Sequence, residues 1–265
     1  GYTNLGAYED ASLLDIKNEI AATLADSEHQ NKYDNAKIRI QGTVAGYSNH
    51  ILYLQDYVLL DKDDPSKGGE YCGINIFVGM TSISSKYTKL NTFIEVCGLA
   101  QDTENYGFQV TDTQGRFPVG SPTNESDARI IYTAEENVTT EHNLETLQYS
   151  TSGLSAIASA NNPYNLECLN CNVQVTENLK VSRVFINDSS AQEITLYFEN
   201  ASFNCYIPFN YKGNPNDSTE RWVSESDFLN KTFTLKGVYV LHKTTTGRIT
   251  FQIIPNGSSD LVFVS

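Results

Sequence analysis

KIRIQGTVAGYSNHILYLQD, Lys37 to Asp56, is the stretch on which the reading of this chain turns. Ile38, Ile40 and Val44 alternate with polar residues, the period of a strand with one buried face. Gly42 interrupts the run where a strongly bent strand leaves no room for a side chain. A short break, Ala45 to His50, leads to a second apolar strand, Ile51–Gln55, closed by Asp56.

The same kind of segment continues downstream. Gly73–Val78 (GINIFV) reads as a third strand with Ile74, Ile76 and Val78 on one face. Phe93–Leu99 (FIEVCGL) and Phe108–Val110 supply strands four and five, and Ala128–Thr133 (ARIIYT) one more. Upstream, Leu13, Ile16, Ile20 and Leu24 recur at helical spacing, so Glu9–Ala25 is expected to be a helix capped by Asp10 or Ser12. Ser82–Leu90 is expected to hold a short helix. Leu144–Ala160 carries weak helical signals and stops at Asn161-Asn162-Pro163. Short strands with so few helices between them favour a small barrel or sandwich over βαβ units.

The second half repeats the first. Leu169–Val175 stands for the opening strand, Val184–Asp188 (VFIND) for Tyr53–Asp56, and Glu193–Phe198 (EITLYF) for Gly73–Val78. Phe233–Val238 stands for Phe93–Leu99, with Gly237 on Gly98. Arg248–Ile253 stands for Gly107–Val110, with Gln252 on Gln109. The expected fold is therefore all-β: two tandem OB-like five-stranded barrels with an N-terminal helix and a short inter-domain helix. The domains are expected at 1–140 and 141–265.

The order G-T-V, Y-L-Q-D, G-I-N-I-F-V, E-V-C-G-L resembles the uncharacterised OB-like domains of surface lipoproteins from gut anaerobic bacteria. The resemblance covers residues 36–112 well and 166–254 weakly. It implies export, a periplasmic or cell-surface location and a possible lipid anchor in the full-length protein. The chain lacks a lipobox cysteine, and it opens on Gly1 rather than Met, as a processed or trimmed protein would. OB-like folds bind oligonucleotides, oligosaccharides and proteins, so the fold selects none of them.

Charge narrows the choice. The chain of 265 residues carries a formal net charge of −14. Residues 1–140 hold 10 basic against 20 acidic side chains, and residues 141–265 hold 8 against 12. Such a balance repels phosphate backbones and anionic membranes, which makes nucleic acid an unfavoured partner. No apolar run approaches the roughly 20 residues of a membrane helix. The five cysteines (Cys72, Cys97, Cys168, Cys171, Cys205) are odd in number and read as buried thiols.

No motif carries chemistry. There is no G-x-S-x-G elbow, phosphate loop or dinucleotide fingerprint, and no catalytic residue or cofactor is expected. The acidic loop Asp61, Asp63, Asp64, Glu70 fails the calcium-loop spacing, because Pro65 and Ser66 fall at key positions. Cys168-x-x-Cys171 lacks a second ligand pair, and on a strand its thiols would point to opposite faces, so no metal is expected. Asp56 and Asp188, expected to end equivalent strands, read as turn caps.

Aromatic side chains are the expected contacts, because OB domains bind across strands two and three. The candidates are Tyr53, Tyr57 and Phe77 in the first half and Phe185, Tyr197 and Trp222 in the second. Tyr206, Phe209 and Tyr211 stand in the connection nearby. The expected function is a non-enzymatic, exported binding or adhesion module whose ligand is a glycan or another protein. The alternatives are a single-stranded nucleic-acid binder, which needs Lys and Arg interleaved with aromatics on one barrel face, and a metal-assisted hydrolase.

Overall fold

The computed structural model describes residues 8–48, 50–78, 85–103, 107–111, 129–132, 144–159, 166–187, 193–208 and 224–264. The chain divides into two compact units, residues 1–144 with 166–171, and residues 145–165 with 172–265.

The first unit opens with a two-residue strand, β1 (Glu9–Asp10), and a helix, α1 (Leu13–Ala25). The helix begins later than its apolar spacing suggests. Ser12 caps it, its hydroxyl accepting from the Asp15 backbone N–H at 3.0 Å while the Asp15 carboxylate accepts from the Ser12 N–H. Asp10 is drawn off into β1, where it meets the Arg39 guanidinium at 2.6 Å. Leu13, Leu14 and Ile16 are the buried helical face.

Five strands then close a barrel: β2 (Lys37–Ser48), β3 (Ile51–Leu59), β4 (Gly69–Phe77), β5 (Phe93–Thr103) and β6 (Gly107–Thr111). Their order around the ring is β2-β3-β4-β6-β5, and β5 returns to pair with β2. The parallel β4–β6 pair is only two residues long, Asn75 opposite Gln109 and Ile76 opposite Val110. β7 (Arg129–Tyr132) adds antiparallel to β5, as the ARIIYT run suggests, and α2 (Ser85–Thr88) falls within the expected short helix. Inside are Ile38, Ile40, Leu52, Leu54, Ile74, Ile76, Ile94, Val96 and Val110, with Leu13 and Ile16 of α1 packed among them. Each such side chain contributes about 1.5–3 kcal/mol when fully buried.

The sequence marks Gly42 for a bend, and the structure shows a close contact. A Cβ there would stand 3.0 Å from the Leu54 Cβ and 3.5 Å from the Leu13 methyl. The irregularity of β2 lies instead between Val44 and Gly46, where its register on β3 shifts. Asp56 does not end its strand either. β3 runs on to Leu59, and Asp56 sits opposite Cys72 with its carboxylate accepting from the Tyr57 N–H at 2.9 Å.

The second unit contains β8 (Leu147–Tyr149), α3 (Thr151–Ala158), β9 (Asn172–Asn187), β10 (Glu193–Phe198), β11 (Asn204–Ile207), β12 (Thr232–Lys243), β13 (Ile249–Ile254) and β14 (Leu261–Phe263). Its ring is β9-β10-β11-β13-β12, closed by β12 on β9. The order matches the first barrel strand for strand. The parallel β11–β13 pair is again two residues long, Asn204 opposite Gln252 and Cys205 opposite Ile253.

One expectation changes here. The segments around Val175 and Val184 are a single strand of 16 residues, pairing with β12 through its first part and with β10 through its second. EITLYF is therefore the counterpart of β3, not of β4. The alternation of apolar residues is the same in every strand, so it cannot fix which strand matches which. The later matches stand: Gly237 lies three residues before the partner of Gln252, as Gly98 does before the partner of Gln109. Asp188 lies outside the described residues.

Gly237 tests the closure. A Cβ there would run into the Ile254 carbonyl oxygen and lie 2.6 Å from its carbon. Gly237→Ala should cost about 1–3 kcal/mol through a backbone that must separate β12 from β13, read as a lower urea midpoint. An unchanged midpoint would show that the seam yields freely.

Candidate binding face

The two rings place one row of side chains at the same height. In the first, Tyr53 on β3 stands opposite Asn75 on β4, which stands opposite Gln109 on β6. In the second, Tyr197 on β10 stands opposite Asn204 on β11, which stands opposite Gln252 on β13. All four amides are buried, and the Asn75 amide donates to the Phe108 carbonyl at 3.5 Å. The Tyr–Asn–Gln row is invisible as a sequence motif, because its members come from three strands. Only the Gln109 and Gln252 match hinted at it.

The residue beside each tyrosine differs. Tyr53 pairs across β2 with Gly46, whereas Tyr197 pairs across β9 with Arg183. The Arg183 guanidinium lies over the Tyr197 ring, 3.8 Å from its centroid, a cation–π contact that fixes both side chains. Along β10, Ile194 and Leu196 point into the core, so Thr195 and Tyr197 face outward. Thr195 is flanked by Phe185 on β9 and Tyr206 on β11. Phe185 is 57% exposed, the most exposed large apolar side chain described.

A cationic and aromatic surface results: Arg183, Phe185, Tyr197 and Tyr206 around Thr195. Lys180 lies further along β9 and pairs with Glu199 at 2.8 Å in solvent, an ion pair that holds little energy and leaves the ammonium available. Sequence reading singled out Phe185 and Tyr197. It missed Arg183, two residues from Phe185 and so on the same face of the strand, and Lys180, whose odd separation from both hides it from a period of two.

In the first unit the proposed contacts disperse. Tyr53 is 4% exposed, a packed side chain rather than a contact. Phe77 is half-buried. Tyr57 is 46% exposed and stands 4.9 Å from Tyr71 at a 53° tilt. Gly69 makes room for this pair, since a Cβ there would lie 2.9 Å from the Tyr57 ring. Trp222, Phe209 and Tyr211 lie outside the described residues.

The acidic loop is internally occupied. Asp61 pairs with Lys67, Asp64 accepts from the Ser66 N–H and hydroxyl, and Glu70 pairs with Lys17 at 3.0 Å. Among the described residues no group of three or more His, Cys, Asp or Glu side chains is placed to hold a metal ion. None of the five cysteines is in a disulfide, and all are buried. Cys168 and Cys171 lie in a turn rather than on a strand, with the Cys171 N–H donating to the Cys168 carbonyl at 3.0 Å. Burial raises the Cys72, Cys171 and Cys205 thiols, Cys72 to about 11.

No family model and no curated protein matches the chain. Among solved structures, it is similar to one described as "Structure of murine DNA binding protein bound with ds DNA", at 8% identity and a TM-score of 0.33, over 86% of this chain and 96% of that one. Another, "p202 HIN1 in complex with 12-mer dsDNA", shows 12% identity and a TM-score of 0.26 over 82% and 88%. A third, "Molecular basis for abrogation of activation of pro-inflammatory cytokines", shows 12% and 0.29 over 86% and 92%. Likenesses of this degree do not constrain the ligand.

The thiols give a test of the core. Because burial raises Cys72 from 9.0 to about 11, its proton is held more tightly folded than unfolded, so this group's stabilisation falls as pH rises from 9 towards 11. Below pH 9 the native protein should react negligibly with a thiol reagent, and the urea-unfolded protein with all five cysteines. Rapid native labelling of Cys72 would contradict this packing.

Proposed function

We propose that this chain is an OB-type binding protein, and that it takes single-stranded nucleic acid on the outer face of the second barrel. The observation that supports the reading is Arg183 over Tyr197 beside exposed Phe185. Bases stack on aromatic rings, and a guanidinium adds both a stacking plane and a phosphate contact. The face spans β9, β10 and β11, the first three strands of the ring, where OB domains present their ligand surface.

The charge of −14 sets the character of the interaction. A polyanion approaches against the overall field, and Lys180 and Arg183 are the cations of the face. Two phosphate contacts correspond to a slope of about −1.4 in log K against log salt. Binding of this kind is weak, dominated by stacking and only mildly salt-dependent.

A second reading keeps a glycan or a protein as ligand, in an exported or cell-surface setting. It is favoured by the acidic charge and by Tyr57, which is 46% exposed with its ring 4.9 Å from that of Tyr71. Rings stack on sugar faces and carboxylates accept from hydroxyls without needing a cation.

Fluorescence anisotropy with a labelled oligothymidylate of about 12 nucleotides, within the site sizes of an OB fold, tests the first reading. Arg183→Ala and Phe185→Ala should each weaken binding about 5- to 150-fold, the equivalent of one lost stacking contact. Both side chains stand outside the core, so thermal stability should hold. Absence of binding at low salt, with a glycan retained on an array through Tyr57, would replace the first reading by the second.

A further inference from the structure

On a strand Cys168 and Cys171 would face apart, but the chain sets them at the two ends of a turn. The Cys171 N–H donates to the Cys168 carbonyl at 3.0 Å and closes it. Asn170, the third residue of the turn, takes a φ of 63°, the left-handed value that asparagine tolerates and β-branched residues do not. A turn of this kind holds its first and last Cα atoms within about 7 Å. A disulfide requires about 4.4–6.8 Å between them. The backbone therefore brings the two residues into bridging range while both thiols are still reduced.

The turn is firmly seated. A Cβ on Gly73 would stand 2.5 Å from the Leu169 carbonyl oxygen and 2.7 Å from the Asn170 carbonyl carbon, so only glycine fits beneath it. The segment Leu166–Cys171 belongs to the first unit, as Gly73 does. Cys168 and Cys171 are each 0% exposed. Burial, with Cys168 and Cys72 as neighbours, raises the Cys171 thiol well above its ordinary value, and a thiol so placed is a poor nucleophile in the folded protein.

We propose that Cys168 and Cys171 are a disulfide-forming pair, closed by a disulfide oxidant during folding, before the turn is buried. The oxidant is a small-molecule or protein disulfide, RSSR. Either cysteine, as thiolate, attacks one RSSR sulfur and expels the other as RS⁻. The second cysteine thiolate then attacks the cysteine sulfur of the mixed disulfide and expels the remaining RS⁻. The pair gives up two protons and two electrons, and RSSR becomes two RSH. Burial then acts in both directions, shutting a reduced pair off from oxidants and a formed bridge off from reductants. The ring spans only Cys168 to Cys171, so the unfolded chain loses little entropy and the added stability is small. Cys72 is the competing partner, close enough to interact with Cys171 but on β4, with no turn to set its distance. The pairing is independent of the ligand read on the second barrel.

Refolding in glutathione tests it. The full chain is reduced, unfolded in urea, refolded with reduced and oxidised glutathione, quenched with iodoacetamide and read by mass spectrometry with a peptide map. The expected product is lighter by two hydrogens, links Cys168 to Cys171, and leaves three of the five cysteines to be alkylated after unfolding. Its urea midpoint should lie above that of the chain kept reduced, and Cys168→Ala should abolish the difference. The chain folded first in the reduced state, then given the same glutathione, should gain the bridge far more slowly. Five alkylated cysteines after refolding in excess oxidised glutathione would overturn the pair. So would a link from Cys72 to Cys171, or a bridged form less stable than the reduced one, since each means that the turn does not present its two thiols to one another. Oxidation of the folded chain as fast as during refolding would overturn closure before burial.

Discussion

The two antiparallel seams that join the first and fourth strands of each ring, β2 to β5 and β9 to β12, are what the rest of the molecule depends on. A five-stranded sheet left open would expose two rows of unpaired amides and carbonyls, each costly to leave unmade and prone to pair elsewhere. Closure removes those edges and confines the apolar alternation to the inside. It also demands close approach at particular points. Gly42 admits Leu54 and the helix residue Leu13, and Gly237 leaves Ile254 room at the β12–β13 seam. The short parallel pairs, β4–β6 and β11–β13, complete each ring with only two residues apiece.

Closure fixes what lies outside as firmly as what lies inside. Once Leu196 and Cys205 point inward, Tyr197 and Tyr206 must point outward. The two barrels use this constraint differently. Both set a tyrosine, an asparagine and a glutamine in one row, and both bury the amides. The first places Gly46 beside its tyrosine and lays a segment of its own chain over Gly73. The second places Arg183 beside its tyrosine and leaves Phe185 in solvent. At the position beside the tyrosine the two scaffolds thus differ by a single residue, Gly46 in the first and Arg183 in the second.

The electrostatics separate long range from contact. A chain of −14 does not steer polyanions towards itself. An arginine held on a tyrosine ring is preorganised and loses little entropy when a second planar group stacks beside it. On the proposed reading, affinity at this face comes from ring contact rather than from field.

The sequence by itself determined the class of fold, the number of barrels and most strand positions. Alternation of Ile38, Ile40 and Val44, or of Ile74, Ile76 and Val78, is a local consequence of the pleat. It also showed the thiols as buried groups and the acidic loop as a solvated one. It did not determine that residues 172–187 form one strand, nor that β10 answers to β3, because every strand of a small barrel has the same period. Nor did it separate packed Tyr53 from exposed Phe185, since both occupy alternating positions in apolar runs. Tertiary structure decided those points. Whether an outward ring meets solvent depends on what another part of the chain lays over it, as Leu169 and Asn170 do at Gly73. That contact joins residues nearly a hundred positions apart, and no local pattern records it.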